Sequence, residues 1–331
     1  MRSAAWLAEQ FGLEGGAVLE GPVDRGYLGQ IWRMTCGSRV FAVKEALAPL
    51  DRQQVETAYA FAVRASALGV VAPHQLVTVD GEPAVYADGE TLRVFAWVDL
   101  AGPDRGLEPG ALGRTLAALH RAGGSVPEPV DPWFHAPVGQ AGWDALVADL
   151  AAAGAPFTGD IAALVDDLLA TESIMVGPGP ELIMAHRDLW ADNLRADVDG
   201  RLVIIDWDNC GPASASQELA MVLVEFGTTP ERARTLYQAY GAADGPAALT
   251  GVGDVTMPLA VMNHLLELGS RQWLAATDDV ARERAAGRVR EFVDDPFLLP
   301  QAARLLEAIA GASGRHGDGQ GPRSGRGRIE K

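Results

Sequence analysis

The feature of this sequence that most constrains its fold is a change of character near residue 100. From about Ala17 to Leu100, short strand-like runs are joined by turns, with one helix among them. After Gly102, apolar residues recur at helical spacing in one segment after another. Strands followed by helices are typical of an α+β protein that segregates the two. We therefore predict two lobes, a β-rich N-lobe over 1–100 and a mainly helical C-lobe over 101–310.

Local signals place the elements of the first lobe. A turn at Gly37 separates two strand-like runs, which predicts a hairpin. In the second run, Ala42 and Lys44 are two residues apart and share one face of the strand. Asp51 is placed to cap a helix that runs to about Leu68. The other predicted elements are three strands within 74–100 and helices near 108–124, 142–154, 161–173, 216–227, 230–241 and 257–276.

Bulk properties exclude several classes of protein. A formal net charge of −17 argues against a nucleic-acid partner, because phosphate backbones are held by clustered Lys and Arg. No run of eighteen uncharged apolar residues is present, so we expect neither membrane insertion nor secretion. Two distant cysteines suggest neither a disulfide framework nor a zinc site. We expect a cytoplasmic protein, with 311–331 as a disordered tail because this segment is rich in Gly and Arg.

The chemistry is concentrated in the segment HRDLWADN, which follows the apolar run ELIM. Four residues separate Asp188 from Asn193 there, as in the pattern H-R-D-x-x-x-x-N of kinase catalytic loops. Phosphoryl transfer to a hydroxyl needs a carboxylate to take the proton, and an amide oxygen nearby can bind Mg²⁺. We predict Asp188 as the catalytic residue and Asn193 as a metal ligand. His186 is interpreted as a structural residue rather than as a base.

Two further segments complete this pattern. The apolar run RLVII delivers Asp206 to a strand end, as the principal Mg²⁺ ligand. Asp208 lies on the same side if the strand continues, and it is predicted as a metal ligand for a second Mg²⁺. Upstream, the sequence FAVK gives the Ala-x-Lys arrangement of an ATP-binding strand, in which Ala42 leaves room for adenine and Lys44 reaches the phosphates. Glu56, twelve residues later, is predicted to pair with that lysine.

Over roughly residues 15–275, the chain resembles the aminoglycoside phosphotransferase and choline kinase superfamily, small-molecule kinases with a protein-kinase-like fold. The resemblance implies a bilobal α+β fold and the use of ATP and Mg²⁺. It also implies a hinge over 95–100 whose backbone binds adenine, for which we select Trp97 and Val98. Glu218 replaces the Asp that usually precedes Leu-Ala in the family, and it is interpreted as a support for the catalytic loop.

The sequence says less about the identity of the acceptor molecule than about the binding of the nucleotide. Only eight residues separate Asp208 from the helix near Gln217, too few for the activation segment that docks a peptide, so we expect a small-molecule acceptor. The acidic chain favours a cationic one, most simply an aminoglycoside-type or other basic antibiotic, with Asp192 and Glu267 as contacts. For Asp192, a solvated or turn-capping role fits the sequence as well as contact with a cationic acceptor does. The alternatives are a choline, homoserine or sugar kinase, or an inactive ATP-binding module. A monomer or weak dimer is expected.

Overall fold

The computed structural model of the protein describes residues 2–26, 29–127, 129–179 and 181–313. For residues 311–313 it describes the backbone alone. Its strands are β1 (Ala17–Arg25), β2 (Gly29–Cys36), β3 (Arg39–Ala46), β4 (Val85–Ala87), β5 (Glu90–Ala96), β6 (Ile183–Ala185), β7 (Leu194–Ala196), β8 (Leu202–Ile204) and β9 (Gly211–Ala213). Its helices are α1 (Ala4–Gln10), α2 (Arg52–Ala67), α3 (Pro109–Gly123), α4 (Gly139–Ala153), α5 (Thr158–Glu172), α6 (Ala215–Phe226), α7 (Pro230–Ala242), α8 (Thr256–Ala275), α9 (Asp279–Asp294) and α10 (Leu299–Ser313).

The N-terminal part is an antiparallel five-stranded sheet in the order β1-β2-β3-β5-β4. β2 and β3 form the predicted hairpin around Gly37, with Cys36 opposite Arg39. One face of the sheet is buried under α1 in a core that includes Leu7 and Phe41. In β3, buried and half-buried side chains alternate, so one face of the strand contributes to this core. The opposite face, which carries Ala42 and Lys44, is half-buried.

The helix after β3 begins as predicted. Its N-cap is Asp51, whose carboxylate accepts a hydrogen bond from the backbone N–H of Gln53 at 2.8 Å. The predicted strand before β4 is not formed as such. Its residues run beside β5 with a single bridge at Gln75, because a turn closed by Thr78 and Glu82 diverts the chain.

The C-terminal part is built from α3 to α10 around two main apolar cores. One core joins α3, α6, α7 and α10, and the other joins α4, α5, α8 and α9. Two short ribbons, β6 with β9 and β7 with β8, lie among these helices and carry the polar segments that the sequence singles out. A strand-rich sheet followed by a helical region confirms the predicted α+β, kinase-like fold.

Three helices of the structure were not predicted from the sequence, namely α1, α9 and α10. The last of them continues through Ser313, so the first three residues of the predicted tail are helical, and the rest of 311–331 lies outside the described residues. Among the described helices, none has both the length and the apolar character needed to cross a membrane.

Candidate functional site

The catalytic loop, residues 186–193, is held in place by Glu218 at the start of α6. Its Oε1 accepts the backbone N–H of Arg187 at 2.5 Å. Arg187 has a φ of 64°, a left-handed conformation that a non-glycine residue rarely adopts without support. The Arg187 guanidinium fills the space in front of Gly211, where a Cβ atom would lie 2.4 Å from its Cζ. As predicted, Glu218 therefore supports the loop.

Glu218 is fully buried, and its charge is compensated inside the helical region. Oε2 lies 3.0 Å from His120 Nε2, and His120 Nδ1 lies 2.8 Å from the Tyr240 hydroxyl. Burial alone would raise the pKa of Glu218, but the hydrogen bond and charge of His120 and the N–H of Arg187 bring the pKa below its usual value. The loop thus rests on an ionised carboxylate tied to α3 and α7.

The side chain of Asp188 is oriented by two amides. Asn193 Nδ2 and Asn209 Nδ2 donate to the same oxygen, Oδ2, at 3.0 and 2.9 Å. Burial raises the pKa of Asp188, and side-chain hydrogen bonds from Asn209 and Trp190 offset this only in part. The second oxygen, Oδ1, takes no hydrogen from these two amides. Sequence reasoning missed Asn209, which lies 21 residues after Asp188.

His186 has the structural role that the sequence interpretation gives it. The ring is completely buried, lies edge-on to Trp207 at 5.1 Å, and donates from Nε2 to the carbonyl of Ile205 at 3.1 Å. Burial lowers the pKa of His186 below its usual value, so the neutral imidazole is favoured. His186 thus ties the catalytic loop to the strand end that carries Asp206.

Lys44 crosses from the sheet to that strand end. Its Nζ lies 2.5 Å from Asp206 Oδ1 and 2.9 Å from Asp208 Oδ2. The side chain of Asp206 is 42% exposed, whereas those of Lys44 and Asp208 are 13% and 16% exposed. The structure therefore brings Lys44 and Asp206 together, next to the loop that carries Asp188 and Asn193.

The predicted pair between Lys44 and Glu56 is not formed. Among the described residues, the ion pairs of Lys44 are those with Asp206 and Asp208. Helix α2 turns Gln54 toward this region, where its Nε2 donates to the carbonyl of Asp208 at 2.8 Å. Residues two apart on a helix differ in direction by about 200°. Glu56 consequently points away from the lysine, and the sequence prediction for it is wrong.

Asp208 also departs from its predicted role as a metal ligand. The strand geometry ends before it, because Asp206 adopts a left-handed φ of 57° and Trp207–Asn209 form a 3₁₀ turn. Both oxygens of Asp208 are engaged by Arg93 of β5, with Nη2 to Oδ2 at 2.7 Å, and by Lys44. Burial would raise the pKa of Asp208, but Arg93 and Lys44 hold it far below its usual value. Asp208 is thus an ion-pair partner, and Arg93 is a site residue that the sequence did not reveal.

The nucleotide side of the site is formed by β3 and the segment after β5. Ala42 lies opposite Phe95 in the register and is half-buried. The N–H of Trp97 is not available to a ligand because it donates to the Val40 carbonyl at 3.2 Å. Within the described residues, the backbone N–H and C=O of Val98 have no protein partner. Of the two predicted hinge residues, Val98 is therefore the one whose backbone N–H is left without a partner among the described residues.

Asn193 and Asp206 fit a Mg²⁺ ion by the chemistry of their donor atoms. The Asn193 amide nitrogen is spent on Asp188, so its oxygen is left as an acceptor. Asp206 adds an exposed carboxylate. In the described part of the chain, no group of three or more His, Cys, Asp or Glu side chains could hold a metal ion alone. This suits Mg²⁺, which keeps several waters and uses phosphate oxygens as ligands.

A cavity of about 960 Å³ opens beside the catalytic loop. Trp190 and Asp192 of the loop line it, together with residues of α6 to α10. Its charged lining residues are mostly acidic and comprise Asp192, Glu225, Glu291 and Asp295, against Arg105 and Arg304. Glu225 is buried and accepts hydrogen bonds from the Ala191 N–H and from Arg105, both at 3.1 Å. The exposed Asp192 is therefore the loop carboxylate that faces the cavity.

Glu267 does not join Asp192 in this lining. Its carboxylate pairs with Arg271 one turn along α8 at 2.9 Å, and it lies 3.7 Å from His264, whose ring stacks on Trp133. The residues of α8 that line the cavity are Met262 and Leu265. Because Met262 and Leu265 lie on a different face of the helix, the prediction of Glu267 as an acceptor contact is not supported by the geometry.

Comparison with solved structures gives similar chains that align over nearly their whole lengths. A spectinomycin phosphotransferase in complex with ADP and spectinomycin is 13% identical, with 93% of this chain and 97% of that chain covered and a TM-score of 0.68. A microcompartment-associated aminopropanol kinase is 18% identical, with 92% and 97% covered and a TM-score of 0.58. An amicoumacin kinase in complex with AMP-PNP and Ca²⁺ is 12% identical, with 89% and 92% covered and a TM-score of 0.55.

No curated protein matches the chain at a significant level. The model of the phosphotransferase enzyme family matches residues 22–252. This match includes the sheet with Lys44, the catalytic loop and the strand end with Asp206. More than half of the chain is matched, and the protein therefore belongs to the phosphotransferase enzyme family, whose members act on hydroxyl-bearing small molecules.

Proposed function

We propose that the protein is an ATP- and Mg²⁺-dependent O-phosphotransferase that modifies a hydroxyl group of a small cationic molecule. The observation that carries this proposal is the orientation of Asp188. The amides of Asn193 and Asn209 both donate to its Oδ2 and neither donates to Oδ1, so we assign Oδ1 to the acceptor hydroxyl. A carboxylate held in this way is what in-line transfer from ATP to an alcohol requires.

In the proposed reaction, Asp188 Oδ1 takes the hydroxyl proton as the acceptor oxygen forms its bond to the γ-phosphorus. The bond from that phosphorus to the β,γ-bridging oxygen breaks, and ADP leaves. Lys44 holds the phosphates, and Val98 holds the adenine through its backbone. Asn193 and Asp206 would bind Mg²⁺, which neutralises charge on the phosphates when bound. All of these positions are filled, which speaks against an inactive ATP-binding module.

The acceptor cavity supports a cationic molecule of antibiotic size. Its charged lining is mainly acidic, and its volume of about 960 Å³ lies near the upper end of the range for drug-sized ligands. Two of the similar structures are of kinases whose names refer to spectinomycin and amicoumacin. We therefore favour an aminoglycoside-type or other basic antibiotic, and hence a role in antibiotic resistance.

The second candidate is a metabolic kinase for a small amino alcohol. It is favoured by the similarity to an aminopropanol kinase, at a TM-score of 0.58. Choline belongs to the same chemical class, and homoserine and sugars remain as less basic alternatives. Turnover in the cytoplasm by a monomer or weak dimer stays a prediction from the sequence.

Release of ADP from purified protein, measured against a panel of acceptors, tests the proposal. The panel contains aminoglycosides, spectinomycin, basic peptide antibiotics, choline, aminopropanol, homoserine and sugars. We expect the highest kcat/KM with a basic antibiotic, and the Asp188→Asn protein serves as the blank. A preference for choline or aminopropanol would establish the second candidate, and ATP binding without turnover of any compound would favour the inactive module.

A further inference from the structure

Lys44 forms ion pairs with the strand end of the C-lobe, whereas no side chain in the described helix α2 forms an ion pair with it. Asp206 and Asp208 contact its Nζ at 2.5 and 2.9 Å. The two carboxylates are not equivalent. Asp206 is 42% exposed and is open to a ligand, whereas Asp208 is 16% exposed and lies behind the lysine.

Asp208 is fixed through both its backbone and its side chain. Gln54 of α2 donates to its carbonyl oxygen at 2.8 Å. The guanidinium of Arg93 binds the carboxylate through both Nη atoms, an arrangement that fixes direction as well as distance. Arg93 is 4% exposed and stands opposite Lys44 in the register of β3 and β5. Asp208 is therefore locked to the same sheet that carries the lysine.

This arrangement suggests which carboxylate stays with the lysine once nucleotide binds. Asp206 is the proposed metal ligand and must then release Lys44, whereas Asp208 has both oxygens engaged and is much less exposed. We propose that Asp208, clamped by Arg93, is the carboxylate that positions Lys44 for the nucleotide phosphates, in the place expected for Glu56. Arg93 is thereby a positioning residue of the site, and this inference rests on the proposed role of Lys44.

The charges favour this assignment over a simple lysine–glutamate pair. In such a pair, the carboxylate cancels much of the positive field that the lysine directs at the phosphates. Here Arg93 already compensates Asp208, so Lys44, Arg93 and Asp208 together keep one positive charge after Asp206 turns away. The lysine is thus held in direction without losing its attraction for an anion.

The test is a double-mutant cycle between Arg93 and Lys44, read by ADP affinity in calorimetry and by steady-state kinetics. Arg93→Lys keeps the charge but loses the two-pronged contact. We expect it to weaken ADP binding and to lower kcat/KM for ATP by about tenfold, with the KM of the acceptor unchanged. In a Lys44→Met background, the same change should have less than about a twofold effect, because its target is gone.

A second variant separates a loss of function from a loss of folding. Asp208→Asn alone would leave Arg93 as a buried unpaired charge, so Arg93→Gln and Asp208→Asn are combined to remove both charges together. This double variant should show the same loss of ADP affinity and of kcat/KM for ATP, again only when Lys44 is present. A cooperative thermal melt would show that it is folded. Glu56→Gln is the matched control on α2 and should stay within about twofold of wild type.

Three results would overturn the inference. One is a loss in Glu56→Gln as large as that in Arg93→Lys. Another is a loss in Arg93→Lys that persists in the Lys44→Met background, which would indicate a general structural effect. The third is full ADP affinity in Lys44→Met, which removes the role of Lys44 on which the inference rests. Failure of the proposed function is recognised separately, because the wild-type protein would then release no ADP with any acceptor, whereas the ADP-affinity arm of the cycle could still be read.

Discussion

Replacing Asp188 with Asn gives the sharpest test of the proposed chemistry. The two amides that donate to Oδ2 require an acceptor at that position, so the introduced side chain must place its own oxygen there. Its NH₂ group then takes the place of Oδ1 and presents a hydrogen-bond donor to the acceptor hydroxyl. The variant loses the proton acceptor and also repels the proton that must leave. We expect kcat to fall by about 10² to 10⁴, or roughly 3–5 kcal/mol in the barrier.

The same substitution should not destabilise the fold. Burial raises the pKa of Asp188, so ionisation of this group at neutral pH lowers the stability of the folded state relative to the unfolded state. A neutral amide of the same shape escapes that cost and keeps both hydrogen bonds. ADP release at saturating ATP and acceptor measures kcat, and calorimetric melting at pH 7 measures Tm. A kcat within tenfold of wild type would refute the assignment, and a clear fall in Tm would refute the geometry on which it is based.

Three further predictions concern the metal, the acceptor and pH. Asp206→Asn, which tolerates the left-handed backbone at this position, should abolish turnover and leave Tm unchanged, whereas an unfolded variant would indicate a structural role. If the acceptor is cationic, its KM should rise severalfold between low ionic strength and 1 M salt, where screening shortens to roughly 3 Å; a flat KM would favour a neutral acceptor. Because the pKa of His186 is lowered, its stabilising effect is complete above its usual value of about 6.5 and is lost as pH falls through the folded-state pKa. The loss of Tm from pH 7.5 to 5.5 should therefore be smaller in His186→Gln than in wild type, and equal losses would contradict this.

The sequence predicts those parts of the site that depend on residues close together along the chain. Strand ends followed by polar residues can be recognised from the chain alone, because an apolar run stops where the acidic side chains begin. Asp188, Asn193 and Asp206 are of this kind, and the structure brings them together beside Lys44. Short ribbons rather than a large sheet carry them, which the sequence does not reveal, because each strand has only three residues.

Contacts between distant segments could not be predicted in the same way. Arg93 lies within a strand-like run and would ordinarily be taken as exposed, and its partner is 115 residues further along the chain. Asn209 gives only the weak signal of an amide beside a carboxylate. Glu56 has a suitable spacing from Lys44, but spacing does not determine which face of α2 turns inward, and the structure turns Gln54 there instead. The errors within the site thus concern side-chain directions and long-range partners, whereas the errors in the fold concern helices α1, α9 and α10 and the strand expected before β4.

The pair between Lys44 and Asp206 also explains why nucleotide and cation are expected to enter this site together. Each residue neutralises the other at 2.5 Å, so neither charge is left uncompensated. A nucleotide alone would draw Lys44 away and leave Asp206 facing the phosphates with like charge. A cation alone would free Lys44 beside a new positive charge. With both present, Lys44 would bind the phosphates and Asp206 would hold the cation, so every charge would keep a partner. Opposite charges carried by two lobes thus couple the contents of the site to the contact between the lobes.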